Sequence, residues 1–487
     1  MKKNLIYLLL IAIAIFFASC NENKDTGEYK KFSKLSPEQH KENIQNTGIE
    51  LVNKVSDFAF SKGVKVSVQA VTMMSKSQKS FSQKSKVIYP IGLLYNLAQV
   101  QNDKSAVYDL MLSLKKFKLE NDEDSTAQQI FESIAGTYTW NFTKKDFDFN
   151  KSTNKTMIIN FPSDSTKKTN NATFTISKFE TLIVTDPEEM EMPKNVSANL
   201  TVDGTKEVEI SFAGSYNTKG VPLSVDASLT VSGYSFTFKL ENDASKKASA
   251  EYAFNKGSEK LMGLSFGANG AWNESDITAN THYYEYKWNE KTWNYDKSEI
   301  TKAQMYRYPN NNDYYYEEEV DFEEIVQKSY GFIDILDLRA GGEVNIKALV
   351  DKEKELENKR HNDSTYNEEK YIDDMITPLN ENTDFYIAYN SDKRKIADME
   401  FYSYMKDFEE NRYVPTDSVN MGGYWYYTNY GYVKVTVKRK TISANFIFGD
   451  GSKVDAETYF KDGFDKFIEE INNFIKDLSK EYGLEIE

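Results

Sequence analysis

Cysteine and histidine are scarce in this sequence of 487 residues. Cysteine occurs once, at Cys20, and histidine three times, at His40, His282 and His361. No histidine lies four residues from another or beside the cysteine, so the sequence holds no zinc motif. A phosphate-binding glycine loop, a dinucleotide fingerprint and a G-x-S-x-G nucleophile motif are also missing. The sequence therefore predicts a protein that is not an enzyme, with no metal and no cofactor.

Positive charge is in deficit as well. Lysine and arginine total 60 against 75 aspartates and glutamates, which gives a net charge of −15. A surface of this sign repels phosphate backbones, so no nucleic-acid partner is expected. A single cysteine cannot form an internal disulfide, so the fold must be held by its hydrophobic core.

The first twenty residues have the pattern of a secretion signal. Lys2 and Lys3 precede an apolar run over residues 5–17 that is too short to span a bilayer. Phe17-Ala18-Ser19-Cys20 resembles the lipobox of bacterial lipoproteins. The resemblance implies that residues 1–19 are a signal peptide and that Cys20 carries acyl chains such as palmitate, which anchor the protein in a membrane. The alternative is an ordinary cleaved signal followed by an unmodified cysteine.

The residue after Cys20 bears on location. It is Asn21 rather than aspartate, and by resemblance to Gram-negative lipoprotein sorting this favours the outer membrane. Residues 20–35 are mostly polar and charged, which predicts a flexible, lipid-anchored tether. Orientation toward the periplasm or the cell surface stays open at this point, and so does the oligomeric state.

The strongest pattern in the chain is an antiparallel β-meander. Apolar residues alternate with polar ones over 196–202, and Asp203-Gly204 then predicts a tight turn before a second alternating run. The same pattern recurs over 225–240 around Ser232-Gly233. Alternation with a period of two, interrupted by x-Gly, is typical of β-hairpins. One face of the resulting sheet is apolar throughout and must be covered by helices, by its own curvature or by a ligand.

Helical patterns flank the meander. Ser36-Pro37 predicts a helix start, with an apolar stripe from Ile44 to Phe58. Residues 64–68 fit either a strand or a helix, and 88–100 and 107–117 are predicted helices. The fold class is therefore α+β, a half-barrel or curved sheet packed by N-terminal helices and a C-terminal amphipathic helix. The predicted regions after the signal peptide are the tether 20–35, a helical region 36–128, the meander 129–310 and an α+β region 311–487.

Two aromatic hairpins are similar to one another. Alternating aromatics run from Tyr138 to Phe149 across a polar turn, and a matching run from Tyr284 to Tyr295 follows 146 residues later. Such a repeat predicts duplicated hairpins stacked into one sheet or into two facing sheets.

The last part of the chain changes character. Apolar residues from Phe322 to Leu336 predict a helix that Gly341-Gly342 ends, and a charged helix resumes over 344–360. Residues 384–404 predict a hairpin, residues 423–437 predict an aromatic strand, and residues 446–448 lead into a predicted turn at Asp450-Gly451. From Phe460 to Leu478, apolar residues are spaced alternately four and three apart, which predicts an amphipathic helix. The pattern lasts less than three heptads, so it favours a helix lying on the sheet over the alternative, a coiled coil.

Exposed aromatic rings are the candidate ligand-binding residues. In the hairpins and strands, the rings either pack across the sheet or form a platform on which sugars or another flat ligand could stack. The candidates are Tyr284, Tyr286, Trp288, Trp293, Tyr314, Tyr315, Tyr316 and Trp425.

Four tripeptides resemble the O-glycosylation sequon of some Gram-negative anaerobes. They are predicted to lie in polar loops: Asp124-Ser125-Thr126, Asp164-Ser165-Thr166, Asp363-Ser364-Thr365 and Asp417-Ser418-Val419.

The leading functional prediction is a non-enzymatic outer-membrane lipoprotein that binds a hydrophobic or lipid-like ligand. The meander with its end helix resembles the half-barrel lipoprotein carriers that cradle acyl chains, and this resemblance implies a similar use of the apolar face. One alternative is a surface glycan-binding lipoprotein that uses tyrosine and tryptophan platforms. Another is a structural or assembly component of the cell envelope.

Overall fold

A large, curved and unclosed β-sheet runs through the molecule. The structure, a computed structural model, describes residues 29–76, 126–185, 190–289, 294–302, 314–421 and 424–482. The predicted signal peptide, Cys20, the helices predicted at 88–100 and 107–117, Asp124-Ser125 and Trp293 lie outside these residues.

Twenty strands are described in these ranges. In chain order they are β1 (Lys31–Phe32), β2 (Gly136–Asn141), β3 (Asp146–Lys151), β4 (Met157–Phe161), β5 (Ala172–Val184), β6 (Met190–Val202), β7 (Thr205–Tyr216), β8 (Pro222–Val231), β9 (Tyr234–Asp243), β10 (Lys247–Lys256), β11 (Glu259–Gly270), β12 (Thr281–Asn289), β13 (Asn294–Ile300), β14 (Tyr314–Val320), β15 (Val326–Ile335), β16 (Leu338–Asn345), β17 (Thr383–Tyr389), β18 (Arg394–Met421), β19 (Tyr424–Phe448) and β20 (Lys453–Asp455).

Nine helices are described in the same ranges. They are α1 (Pro37–Ala59), α2 (Lys62–Lys76), α3 (Ala127–Ile134), α4 (Glu274–Ala279), α5 (Phe322–Ile325), α6 (Ile346–Asn362), α7 (Glu368–Asn382), α8 (Ala456–Lys461) and α9 (Asp465–Tyr482). The predicted α+β class with a mostly antiparallel sheet is confirmed.

Seventeen strands belong to one sheet. From β4 to β11 each strand pairs antiparallel with the next, and β11 then pairs with β15. The sheet continues through β16, β17, β18, β19 and β20. Two pairings are parallel, β2 with β4 and β1 with β18. Strands β12, β13 and β14 form a separate three-stranded sheet inserted between β11 and β15.

The two predicted hairpin turns are confirmed. Asp203 and Gly204 have φ of 52° and 80°, and Ser232 and Gly233 have φ of 47° and 84°. Positive φ at both central residues is what a type I′ turn requires. The turns fix the register that pairs Ala198 with Ile210 and places the apolar side chains of β6–β9 on one face.

The strand ends that carry these turns also receive the N-terminal segment. Backbone hydrogen bonds connect neighbouring turns at these strand ends: Gly257 N–H to Gly233 O, Leu336 N–H to Leu261 O, and Asn390 N–H to Asp337 O. Tyr29 donates its hydroxyl hydrogen to Asn390 at 2.9 Å. These turns all lie at the same ends of their strands. We call these strand ends the near end of the sheet and the opposite strand ends the far end.

The predicted tether is too long at its C-terminal end. Tyr29 is only 1% exposed and packs in a buried cluster with Tyr330, Phe332 and Tyr386, while Lys31 and Phe32 form β1 against β18. Tyr29 is held by aromatic packing and β1 by backbone pairing with β18, so the chain from Tyr29 belongs to the folded body.

Helix α1 packs on the apolar face of the sheet, close to its near end. Ser36 caps it as predicted, accepting a hydrogen bond from Gln39 N–H. His40 is fully buried, with Nδ1 2.9 Å from the Tyr389 hydroxyl. Burial lowers the pKa of His40, so the imidazole is neutral at pH 7. The ambiguous residues 64–68 lie in helix α2.

The helix predicted from Phe322 to Leu336 is wrong. Only α5 is helical, and Val326–Ile335 is strand β15. Tyr330 and Phe332 pack against Tyr29 on one face while Ile333 and Ile335 lie on the other, so both faces are apolar and the alternation is hidden. Gly341 and Gly342 do not end an element either, because they lie inside β16.

The predicted C-terminal helix is interrupted. Its start lies on the sheet as predicted, where Phe460 of α8 meets Phe446 of β19 edge to face at 5.6 Å, but α9 packs on helices instead. Gly463, at φ +87°, separates α8 from α9. Within α9, whose 18 residues are all described, none is fully buried. Its contacts are with the N-terminal helices: Phe467 meets Gly48 in α1, and Tyr482 donates a hydrogen bond to the Ala59 carbonyl. Asp455 caps α8 by accepting a hydrogen bond from Thr458 N–H.

Candidate functional site

Helices cover the near-end half of the apolar sheet face. Phe58 of α1 packs edge-on against Tyr234, Phe236 and Phe254, with ring centroids 5.2–5.4 Å apart. Gly63 at the start of α2 approaches so closely that a Cβ there would lie 2.7 Å from a methyl of Val231. This half of the face is therefore a filled core.

Apolar side chains continue beyond the helices toward the far end. Direct cross-strand pairs join Val225 to Leu240, Phe238 to Tyr252, and Tyr252 to Leu264. Directly paired residues share a face of the sheet. We call this set the open apolar patch: Val225, Phe238, Leu240, Tyr252, Leu264 and Phe266.

The patch is accessible to solvent. Tyr252 is 38% exposed and Leu264 and Phe266 are each 36% exposed, while the other three members are half-buried. Polar residues such as Thr237, Lys239 and Glu251 occupy the opposite face of the same strands. Soluble proteins normally expose apolar residues singly, and contiguous exposed patches mark interaction sites.

The far end of the patch is bordered by the connection to the three-stranded sheet. Gly270 N–H donates to Lys246 O at 2.9 Å and Ala271 N–H to Ile325 O at 2.9 Å. The Trp272 indole donates to Asn242 Oδ1 at 3.0 Å. These bonds fix the start of the insertion and the end of α5 beside the patch.

A lysine ammonium lies over the rings of two of the predicted ligand-binding tyrosines. Tyr284 and Tyr286 lie on β12, and Lys297 on β13 places its ammonium 3.6 Å and 5.6 Å from their ring centroids. Burial disfavours the charged ammonium, but hydrogen bonds to Glu319 and Tyr286 outweigh it and raise the pKa of Lys297. Lys297 is therefore positively charged at neutral pH, and its ammonium makes cation–π contacts with both rings.

Trp288 and Tyr295 reproduce a pair found in the first hairpin. Their rings meet edge to face at 5.1 Å, as Trp140 and Phe147 do at 5.2 Å. In each hairpin an asparagine next to the tryptophan donates to an aspartate at 2.8 Å. The structural repeat is therefore 148 residues rather than 146. A shift of two residues keeps each side chain on its face, which is why the alternation alone could not separate the two offsets. The first hairpin belongs to the large sheet and the second to the three-stranded sheet.

The other predicted aromatics lie on strands β14 and β19. The hydroxyl of Tyr316 donates to Glu285 Oε1 at 3.4 Å. The register places Tyr315 opposite Tyr286 and Tyr314 opposite Lys287. Trp425 lies on β19, where it pairs with Asn420 of β18, far along the chain from the three-stranded sheet. The role of these residues in binding stays a prediction.

A tyrosine cluster outside the predicted ligand-binding residues lies on the β18–β19 hairpin. Tyr413 is 63% exposed, Tyr430 51% and Tyr432 76%. The ring centroid of Tyr413 is 5.5 Å from that of Tyr430 and 5.1 Å from that of Tyr432. Tyr413 comes from the other strand, 17 residues before Tyr430, so only the hairpin register could have revealed the cluster.

The sequon-like tripeptides are only partly in loops. Asp164-Ser165-Thr166 and Asp363-Ser364-Thr365 form exposed turns, in which each aspartate accepts a hydrogen bond from the backbone N–H two residues later. Asp417-Ser418-Val419 lies within strand β18, so its predicted loop placement is wrong. Glycosylation of any of them stays a prediction.

Within the described residues, no group of three or more histidine, cysteine, aspartate or glutamate side chains could hold a metal ion. None of the helices described here is both long and apolar enough to cross a membrane. Comparisons with protein-family models, with curated proteins and with solved structures found no match.

Proposed function

We propose that this protein is an outer-membrane lipoprotein, anchored through Cys20, that binds a hydrophobic, acyl-chain-like ligand at the open apolar patch and catalyses no reaction. The observation that carries the proposal is the patch itself. It continues a buried core on the same face of the same strands, yet Tyr252, Leu264 and Phe266 remain exposed.

The chemistry of the patch favours an apolar ligand. Of its six residues only Tyr252 carries a polar atom, so a ligand rich in hydroxyls would lose hydrogen bonds to water without replacement. An acyl chain pays no such cost and gains about 0.8 kcal/mol for each CH₂ removed from water. The curved sheet presents the patch as an extended surface, which suits a long and narrow ligand better than a compact one.

Replacing Leu264 by lysine is expected to weaken binding of a fluorescent fatty acid by about tenfold or more. Burial of a leucine side chain stabilises by roughly 1.5–3 kcal/mol, and 1.4 kcal/mol is one factor of ten in affinity. The measurement is a fluorescence titration of the full chain. Ile468→Lys is the matched control, because Ile468 is 53% exposed on α9 and lies outside the patch.

Equal weakening by both variants, or no saturable binding by the wild type, would count against the patch as the binding site. Mass spectrometry of protein purified from its native membrane, without denaturant, gives an independent readout. A co-purifying acyl compound that is lost in Leu264→Lys is the expected result.

The anchor has a test of its own. Cells supplied with radiolabelled palmitate are expected to label the wild-type protein and not a Cys20→Ala variant, because the modification needs the thiol of the only cysteine. Equal labelling of both, or of neither, would show that the lipobox resemblance is misleading. Membrane fractionation of the same cells then tests the predicted outer-membrane location.

An assembly role in the cell envelope is an alternative use of the same patch. It would place a protein partner on the open apolar patch in place of a small ligand. Retention of a fluorescent fatty acid by the purified single chain favours the carrier, since an assembly surface has no need to bind a free acyl chain.

A further inference from the structure

The β18–β19 hairpin leaves the sheet and continues as a two-stranded ribbon. Strand β18 pairs with β17 only as far as Asp398, whereas β18 and β19 stay paired out to Met421 and Tyr424. Helix α7 holds the base, where Asn380 exchanges hydrogen bonds with the Phe401 backbone at 2.7 and 3.0 Å. From Asp407 to Met421 the ribbon extends about 50 Å at about 3.4 Å per residue. It projects beyond the far end, away from Tyr29.

The tyrosine cluster, Tyr413, Tyr430 and Tyr432, lies on one face of this ribbon. Tyr413 and Tyr432 are direct cross-strand partners, and Tyr430 follows two residues away on the same face. Cross-strand aromatic contacts stabilise a ribbon that would otherwise be marginal as two strands alone. Packing explains the contacts between the rings, but it does not require each ring to stay at least half exposed.

We infer that the tyrosine cluster is a binding platform for the sugar rings of a glycan. A tyrosine ring combines a flat apolar face with a polar hydroxyl edge. A pyranose has the complementary surfaces, a face of C–H groups and a rim of hydroxyls. Because the rings are already held against one another, little side-chain freedom is lost when a sugar stacks on them.

Polar groups beside the cluster can bind sugar hydroxyls. Glu409 and Lys434 form an ion pair at 3.2 Å and their side chains are 73% and 75% exposed. Strand alternation places them on the tyrosine face, and Glu409 lies four residues from Tyr413, about 14 Å along the strand. That span accommodates a short oligosaccharide, with acceptors on Glu409 and donors on Lys434.

The exposed area of the tyrosine cluster is better matched to a glycan than to a protein partner. A tyrosine side chain offers roughly 200 Å², so at exposures of 63%, 51% and 76% the three residues present roughly 400 Å² in total. A stable protein–protein interface buries about 800 Å² on each partner. The cluster therefore fits a small ligand, and its hydroxyls and charged neighbours distinguish that ligand from the acyl chain proposed for the apolar patch.

The experiment is affinity electrophoresis of the full chain in gels containing soluble polysaccharides, supported by a glycan array. The panel comprises β-1,3-glucan, starch, xylan, α-mannan, galactan and hyaluronan. The wild type is expected to be retarded by at least one of them. The double variant Tyr413→Ala/Tyr432→Ala is expected to lose at least about tenfold in affinity for that polysaccharide, since two of the three stacking rings are removed.

Two further variants separate binding from ribbon stability. Tyr413→Phe/Tyr432→Phe keeps the rings and is expected to retain most of the affinity. Val433→Ala removes an exposed side chain (42% exposed) next to Tyr432 on the opposite face, and is expected to bind as the wild type does. The inference is overturned if the wild type binds no glycan, if the double alanine variant binds normally, or if Val433→Ala loses affinity equally.

Discussion

Replacing Phe58 by alanine is expected to lower the free energy of unfolding by about 4 kcal/mol, because large-to-small changes of a buried phenylalanine cost about 3–5 kcal/mol. Phe58 is 7% exposed and its ring touches three aromatic rings from strands β9 and β10. A cavity there cannot collapse easily, since β9 and β10 are hydrogen-bonded to one another along their length and α1 is held at its other end by the contact between His40 and Tyr389. Chemical denaturation followed by circular dichroism measures the change.

Phe467→Ala is the matched control for this prediction. The same side chain is removed from a helix, but Phe467 is half-buried on α9 and packs against α1 rather than the sheet. Its loss is expected to cost less than half as much, because less apolar surface returns to water and the cavity is open to solvent. Equal losses at the two positions would mean that α9 contributes as much to the core as α1 does.

Replacing Asp334 by alanine is expected to destabilise the fold by about 3–5 kcal/mol, the usual consequence of breaking a buried ion pair. Asp334 is 3% exposed and accepts two hydrogen bonds from Arg339, at 2.8 and 3.1 Å. Asn390 donates a third at 3.2 Å. The variant removes the carboxylate that compensates a largely buried guanidinium, and the unfolding midpoint in denaturant records the loss.

An exposed ion pair provides the comparison. Lys144 and Asp148 are 2.5 Å apart but their side chains are 64% and 49% exposed. Asp148→Ala is therefore expected to cost less than about 1 kcal/mol, as surface pairs do. A loss from Asp334→Ala as small as that would show that water or a shifted side chain compensates Arg339.

The buried pair also predicts a dependence on pH. Burial alone would raise the pKa of Asp334, but the hydrogen bonds and charge of Arg339 outweigh it and hold the pKa below the ordinary value of 3.8. Stability from this group is therefore complete above pH 3.8 and decreases as the pH falls below it. The difference in stability between wild type and Asp334→Ala is expected to narrow in that acid range.

Turn chemistry was the most reliable guide from sequence to fold. Asp203-Gly204 and Ser232-Gly233 specify their hairpins locally, since few residues other than glycine adopt positive φ without strain. The apolar alternation beside them then sets register and face. Nothing beyond neighbouring residues was needed, so these elements could be predicted from a single sequence.

Glycine was misleading where its role was tertiary. A Cβ at Gly342 would lie 1.9 Å from the Asp384 carbonyl oxygen, and one at Gly341 would lie 1.7 Å from that of Gly331. These glycines allow three strands to approach closely, a requirement set by residues far away in sequence. The sequence shows only two adjacent glycines, which locally indicate the end of a helix.

The candidate surfaces were predictable in kind but not in place. Alternation predicted an apolar sheet face. Which half of that face α1 covers could not be predicted, because it depends on the contacts of Phe58 and His40 with strands that are distant in sequence. Aromatic clustering pointed to the three-stranded sheet, where Lys297 shares the rings of Tyr284 and Tyr286. The tyrosine cluster forms across two strands, and its exposure follows from the ribbon leaving the sheet.

The burial of Tyr29 determines where mechanical tension would enter the fold. A pull on the preceding chain acts first on this side chain, whose ring packs on Tyr386 and whose hydroxyl contacts Asn390 and Lys393. The next resistance comes from β1, which a pull along the strand loads in shear against β18. Helix α1 begins only at Pro37, so it bears no load until both contacts have failed. Drag on a molecule held by the proposed anchor at Cys20 would therefore leave the apolar face and its helical cover undisturbed.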